Sequence, residues 1–158
     1  MKPLDPDSTR FIQDLIDESH DMTLATVRPD GFPQATTVSY ANDGMLIYVG
    51  VGLDSQKAHN IQHDGRVSLT INRPYTDWNQ IQGLSMAATA SIVRGAEETA
   101  HARDCMLHKF PHLPATVAEP SVPWGSVIFL RIAPQLISVL DYSKGFGHTE
   151  LYTVAASG

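Results

Sequence analysis

Gly50-Val51-Gly52-Leu53-Asp54-Ser55-Gln56-Lys57-Ala58-His59-Asn60-Ile61 is the stretch from which the rest of the chain can be read. An apolar, β-branched run ends at Gly50, two glycines and Asp54 make a loop, and a short helix opens at Ser55. Ala58 and Ile61 stand three apart and share one face of that helix. A helix start presents unpaired N–H groups and partial positive charge, which suits a phosphate. Ser55 adds a hydroxyl there and Lys57 a full charge. Two readings stand side by side: an anchor for the phosphate of a bound cofactor, or a serine cap beside a solvated lysine.

The whole chain bounds the choice. It has 158 residues, a formal net charge of −6 and one cysteine. That length fits one domain with a real core. The negative charge argues against a nucleic-acid surface. No apolar run is long enough to span a membrane, and residues 1–7 lack the apolar segment of a secretory signal. Cys105, being alone, can form no internal disulfide, so a reducing, cytoplasmic location is expected. Inside a helical pattern it reads as a small core residue.

On the N-terminal side of the quoted stretch, Asp7 or Ser8 is expected to cap a helix over residues 8–19, with Phe11, Ile12, Leu15 and Ile16 as its apolar stripe. The period then changes to two. Strands are predicted over 22–27, 35–40 and 45–51, joined by the turn residues Pro29-Asp30-Gly31 and Asn42-Asp43-Gly44. Two short turns predict a three-stranded antiparallel meander.

On the C-terminal side, 67–71 reads as a fourth strand and 74–81 as a loop holding Tyr75 and Trp78. Residues 83–94 read as a long fifth strand with Leu84, Met86, Ala88, Ala90 and Ile92 on one face. Its small side chains predict a close neighbour. A helix over 96–109 precedes a Pro-rich segment, 111–124, and two last strands, 127–132 and 136–140, with Pro134 at the corner. Residues 143–158 read as a tail. Seven strands and three helices predict a mainly β fold, a closed or nearly closed antiparallel barrel over 22–142 with peripheral helices, in one domain spanning 1–158.

Several residues invite a ligand reading. His59 and His63, four apart, could share a metal, but no Cys or carboxylate cluster completes the set. His101 and His108, two turns apart, could include a haem ligand or lie on a helix surface. His148, beside Gly147 and close to Gly145 and Lys144, could touch a ligand or belong to a mobile tail. Trp78 and Trp124 fall in loops, where an indole packs over a cofactor, into a dimer interface, or as a loop anchor. Neither glycine doublet, 50–52 or 145–147, continues into a dinucleotide fingerprint.

The order of features resembles the pyridoxamine 5′-phosphate oxidase-like, FMN-binding split barrel. The resemblance is carried by Met22-Thr23-Leu24-Ala25-Thr26-Val27, Asp30-Gly31-Phe32-Pro33-Gln34, Ile47-Tyr48-Val49-Gly50, and above all Ser55-Gln56-Lys57-Ala58-His59-Asn60-Ile61 leading into Gly65-Arg66-Val67-Ser68-Leu69-Thr70. It covers residues 8–142 by order and pattern. It implies a homodimer with two FMN sites at the subunit interface. By the same resemblance Ser55, Gln56 and Lys57 hold the flavin phosphate. Thr36, Thr37 and Val38, with Tyr48, Val49 and Gly50, run along the isoalloxazine edge. The loop of residues 78–83, including Trp78 and Gln82, reaches toward the partner's flavin.

The chain also departs from the pattern. The true oxidase carries basic residues in its second strand, whereas Gln34-Ala35-Thr36-Thr37-Val38-Ser39-Tyr40 has none. Arg131 lies in a strand, and His148 has no Arg two residues before it. The expected function is therefore FMN-dependent redox chemistry on a small molecule other than pyridoxamine 5′-phosphate. The alternatives are a deazaflavin-dependent reductase on the same barrel, or a flavin or haem carrier or sensor. The negative net charge disfavours the polyanionic deazaflavin tail.

Overall fold

A computed structural model describes residues 1–113 and 127–156. Among the described residues nine strands form one mixed sheet that curls without closing, with three α-helices around it. In chain order these are β1 (Lys2–Pro3), α1 (Pro6–Glu18), β2 (Asp21–Val27), β3 (Pro33–Ser39), β4 (Ala41–Asp43), β5 (Leu46–Gly52) and α2 (Gln56–His63). They are followed by β6 (Arg66–Asn72), β7 (Gln82–Ile92), α3 (Ala96–Lys109), β8 (Val127–Asp141) and β9 (Thr149–Thr153).

The predicted meander is cut in two. β3 pairs with β2 from Pro33 to Ser39, but its other edge is not taken by β5. The Asn42-Asp43-Gly44 turn folds only β4 back on β5, with Ala41 opposite Tyr48. Tyr40, between β3 and β4, is the reason: its side chain is buried and its hydroxyl donates to the Ile16 carbonyl at 2.7 Å. That bond turns the chain off the β3 line. β5 pairs instead with the first half of β8, Gly52 opposite Val127 and Ile47 opposite Ile132. β5 is buried on both faces at Ile47, Tyr48 and Val49, so an alternating pattern could not mark it as a sheet interior.

The expected corner at Pro134 is also absent. β8 runs unbroken for 15 residues, and β7 follows it along its length. Ala87 opposes Leu136 and Ala88 opposes Pro134, so Gln135 is the extra residue of a bulge. Pro134 is tolerated because it falls between the last β5 pairing at Ile132 and the first β9 pairing at Leu136. The segment expected as a tail supplies β9, antiparallel to β8, and β1 adds to it in parallel. The fold thus holds more strands than the seven predicted, because β1, β4 and β9 are too short or too polar to register as strands.

The core lies inside the curl. Ile12, Leu15 and Ile16 of α1 meet Leu24, Leu69, Leu84 and Leu130, all essentially inaccessible. The α1 cap is Asp5, ahead of the expected Asp7 or Ser8, and Ser8 is its partner in a capping box. The close neighbour predicted for β7 is the loop after α2. A Cβ on Gly65 would stand 2.7 Å from the Ala90 carbonyl oxygen. A smaller cluster, Tyr48, Val93, Ala102, Met106 and Phe129, seats α3 on the outside of β5 and β8.

Candidate functional site

The split between β3 and β5 opens a cleft of about 480 Å³. Val38 and Ser39 form one wall, and Gly50, Val51 and Gly52 the floor. Ser55 and Lys57 stand at the α2 end. Met106 and Leu113, with Val127 and Phe129 of β8, supply the apolar side. The volume lies in the range of small-molecule sites, and the mix of apolar walls with a few polar groups is what such a site needs.

Both strands offer backbone. β4 covers β5 only through Leu46–Tyr48, so the edge of β5 from residue 49 to 52 faces the split without a partner strand. β3 has a partner on the β2 side only. Gly50 is not required by packing within the chain, since a Cβ there would meet Phe129 Cε1 at 3.6 Å, an ordinary contact. Its bare backbone leaves the floor open.

At the polar end, Ser55 is the N-cap of α2 and its Oγ accepts the Ala58 N–H at 3.2 Å. The cap reading of Ser55 is therefore correct as far as it goes. It does not exclude the anchor, because a hydroxyl that accepts from the helix keeps its own proton to donate. The N–H groups of Gln56 and Lys57, in the first turn, have no carbonyl four residues back within the helix. Lys57 forms no ion pair among the described residues, unlike Arg66, which pairs with Asp64 at 2.6 Å, and Arg131, which pairs with Glu98 at 3.3 Å. Oriented donors beside a cation have the chemistry that an anion needs.

The residues singled out in sequence separate into three groups. Val38, Gly50, Ser55 and Lys57 meet in the cleft, with Gln56 beside them. Thr36 shares the inward face of β3 with Val38, and its Oγ1 is buried with no hydrogen-bond partner. Thr36 itself does not line the cleft. Thr37 faces outward, and Val49 is wholly in the core. Tyr48 faces α3, its hydroxyl 3.5 Å from Glu98 and its ring edge-on to His101. Burial, with Glu98 beside it, pushes the Tyr48 phenol up.

Trp78 and Gln82 form the third group, at the opposite end of the sheet. Gln82 opposes Asp141, the last residue of β8, whereas the cleft lies at its first residues. At about 3.3 Å per residue, the two ends are up to roughly 45 Å apart. Neither residue reaches the cleft. Gln82 donates to Asp141 at 3.1 Å and accepts from Arg73 at 2.6 Å. Trp78 is 65% exposed and stacks on Phe146 at 5.9 Å. His148 turns toward Glu150, 3.6 Å away, and the glycines present Phe146 instead. Gly145 and Gly147 have φ of +135° and +73°, which hold that ring out. Trp124 lies outside the described residues.

A second, larger opening, about 780 Å³, lies between α3 and the end of α1. His20, His101 and His108 line it, together with Asp17, Asp104 and Lys109. His101 pairs with Asp43 at 2.9 Å and stands 3.7 Å from Cys105 Sγ. Burial pushes the Lys109 ammonium down to about 8, over the face of Tyr40. Burial also pushes the Cys105 thiol up, so it is no ready nucleophile. His59 and His63 are exposed, and among the described residues no cluster of three His, Cys, Asp or Glu could hold a metal. None of the described helices is long and apolar enough to cross a membrane.

Sequence reasoning missed Met106, Leu113, Val127 and Phe129 as walls of the cleft. They come from elements distant in the chain, and nothing local marks them.

The comparisons with known proteins agree with this architecture. The family model for pyridoxamine 5′-phosphate oxidase matches residues 8–134. The chain belongs to that family. No curated protein matches it at a significant level. Among solved structures, a conserved hypothetical protein from Mycobacterium tuberculosis is 26% identical, with a TM-score of 0.75 over 94% of this chain and 91% of that one. A haem-binding protein from Mycobacterium smegmatis is 21% identical, with a TM-score of 0.76 over 95% of this chain but only 59% of that one. A protein of the pyridoxinephosphate oxidase family from Clostridium acetobutylicum, 12% identical, has a TM-score of 0.68 over 95% and 96% of the two chains. At the last two identities the likeness is one of fold.

Proposed function

We propose that the chain binds FMN in the β3–β5 cleft and acts as a flavin-dependent oxidoreductase on a small molecule. The observation that carries this reading is the meeting of Ser55, the α2 start and the unpaired Lys57 with apolar walls and an open strand edge. A flavin mononucleotide needs those three things: an anion site, a flat apolar slot and backbone groups for the ring edge. When bound, the flavin supplies the electron-transfer chemistry. The chain supplies the phosphate donors, the slot and the exclusion of water on the α3 side.

Two copies would complete the site. Among the described residues Phe129 is the one aromatic side chain that lines the cleft, while Trp78 and Phe146 form an exposed, stacked pair far from it. A second subunit packed antiparallel would bring its pair over the first one's flavin. Pyridoxamine 5′-phosphate is not the expected substrate, because β3 carries no Arg or Lys. A cytoplasmic setting agrees with the lone cysteine.

Haem is the second reading, favoured by the three histidines of the larger opening and by the haem-binding structural relative. That opening has Asp17, Asp104 and Asn42 where a porphyrin face needs apolar walls. The β3–β5 cleft has the walls but no histidine. FMN is therefore preferred over haem. An absorbance spectrum after gel filtration tests both: flavin bands that travel with the protein are expected. A Soret band with no FMN uptake would overturn the proposal.

A further inference from the structure

The helix that carries the donors is only eight residues long, too short to hold itself. Ala58 and Ile61 bury its inner face, but apolar contacts are not directional and allow a short helix to slide or roll. The directional contacts come from Asn60, which is fully buried. Its Nδ2 donates to Thr26 Oγ1 at 2.9 Å and to Gln34 Oε1 at 3.1 Å. Its Oδ1 accepts from Gln56 Nε2 at 2.7 Å. Thr26 and Gln34 face each other across β2 and β3, so one amide bolts the first turn of α2 to two strands.

We infer that Asn60 is the positioning residue of the phosphate end of the cleft: it fixes where Ser55, Gln56 and Lys57 present their donors. The inference rests on the FMN reading above and adds to it a residue that touches no ligand. Stability alone does not require this polar pair, because apolar side chains of similar shape at both Asn60 and Thr26 could fill the space nearly as well. What an apolar residue cannot do is set the helix against β2 and β3 to within tenths of an ångström. The network also reaches toward the slot. Gln34, Thr36 and Val38 share one face of β3, so the residue that Asn60 holds lies four positions from the cleft wall.

The test compares FMN with riboflavin, which lacks the phosphate, on the full chain. The isosteric Thr26→Val removes one acceptor of the Asn60 amide, and Thr26→Ser restores it. Thr26→Val is expected to weaken FMN about 3- to 10-fold, the worth of one hydrogen bond, and to leave riboflavin affinity within about twofold. Thr26→Ser is expected to bind FMN as the unsubstituted chain does. Asn60→Leu is expected to bring FMN affinity down to that of riboflavin. If it does not fold, judged by thermal unfolding, the Thr26 pair carries the test. Equal losses for FMN and riboflavin, or no loss in Thr26→Val, would overturn the role of Asn60 while leaving the FMN reading intact. If the unsubstituted chain and Lys57→Ala both bind FMN no better than riboflavin, the phosphate anchor itself fails, and Asn60 with it.

Discussion

The two ends of β8 are built on opposite plans. At the Val127 end β3 and β5 part, and among the described residues Lys57 has no ion pair, the Thr36 hydroxyl has no partner and the Gln56 and Lys57 N–H groups have no carbonyl within α2. At Asp141 almost every polar group is matched. Asp141 takes Gln82 and Ser143, Gln82 takes Arg73, and Arg73 takes Glu18. That single chain of contacts ties α1, β6, β7, β8 and the turn after β8. Polar groups matched inside a subunit hold a fold together. Polar groups left open beside an apolar slot are free to hold something else. The unmatched feature of the far end is apolar, the Trp78–Phe146 stack, which offers surface and no donors.

The largest effect is expected from breaking the matched end. Asp141 is 6% exposed. Burial pushes its carboxyl up, but hydrogen bonds from Ser143 and Gln82 more than offset this and leave it below the usual range. Asp141→Ala strands both donors and should cost about 2–3 kcal/mol in a urea titration. A loss under about 0.5 kcal/mol would mean that the chain of contacts is slack. At the open end the converse is expected. Lys57→Ala should weaken FMN at least about tenfold, or about 1.4 kcal/mol, with no change in the urea midpoint and with the proposed dimer kept. Unchanged FMN affinity would remove Lys57 from the site.

This contrast also explains what could be read in the sequence. The α2 start was legible because its chemistry is local: Ser55, Gln56 and Lys57 lie within three positions, and capping has a pattern. Strand periods placed β2, β6 and β7 correctly, since one face of each is buried and the other is not. Pairing was not legible. Whether β5 joins β3 or β8 depends on where the Tyr40 side chain goes, and Tyr40 is buried by α1, some 24 positions earlier. Pro134 looked like a stop because a bulge that excuses it involves β7 and β9, which are distant in the chain. His148 looked more available than Phe146 because a flanking glycine says that the backbone is free, not which side chain it presents.

A smaller effect sharpens the comparison at the aromatic stack. Phe146 is 80% exposed, so Phe146→Ala should change stability by less than about 0.5 kcal/mol. If two subunits share the site as proposed, the same variant should bind FMN a few-fold more weakly, about 0.5–1 kcal/mol, the worth of one aromatic contact. Flavin titrations at protein concentrations above and below the dimer midpoint check this. FMN affinity identical to that of the unsubstituted chain at both concentrations would sink the shared site.

The smallest effects belong to exposed ion pairs, and they test both ends at once. Next to α2, hydrogen bonds from Arg66 hold the Asp64 carboxyl down at about 2. At the far end the hydrogen bond from Lys2 holds Glu150 at about 2, and it fastens β1 to β9. A carboxyl lowered in the folded state adds stability that is fully present above its unfolded pKa, near 4. That stability is lost as pH falls from there toward about 2. The melting temperature should therefore drop between about pH 5 and pH 2, and salt should shrink the drop because solvent screens both pairs. Asp64→Asn and Glu150→Gln should each flatten part of that acid limb. Glu150→Gln should do so without moving the Ser55 and Lys57 donors, because its pair is matched within the fold and lies far from the cleft of its own chain. An acid limb that is the same in both variants would show that neither carboxylate is held in solution as it is in the structure.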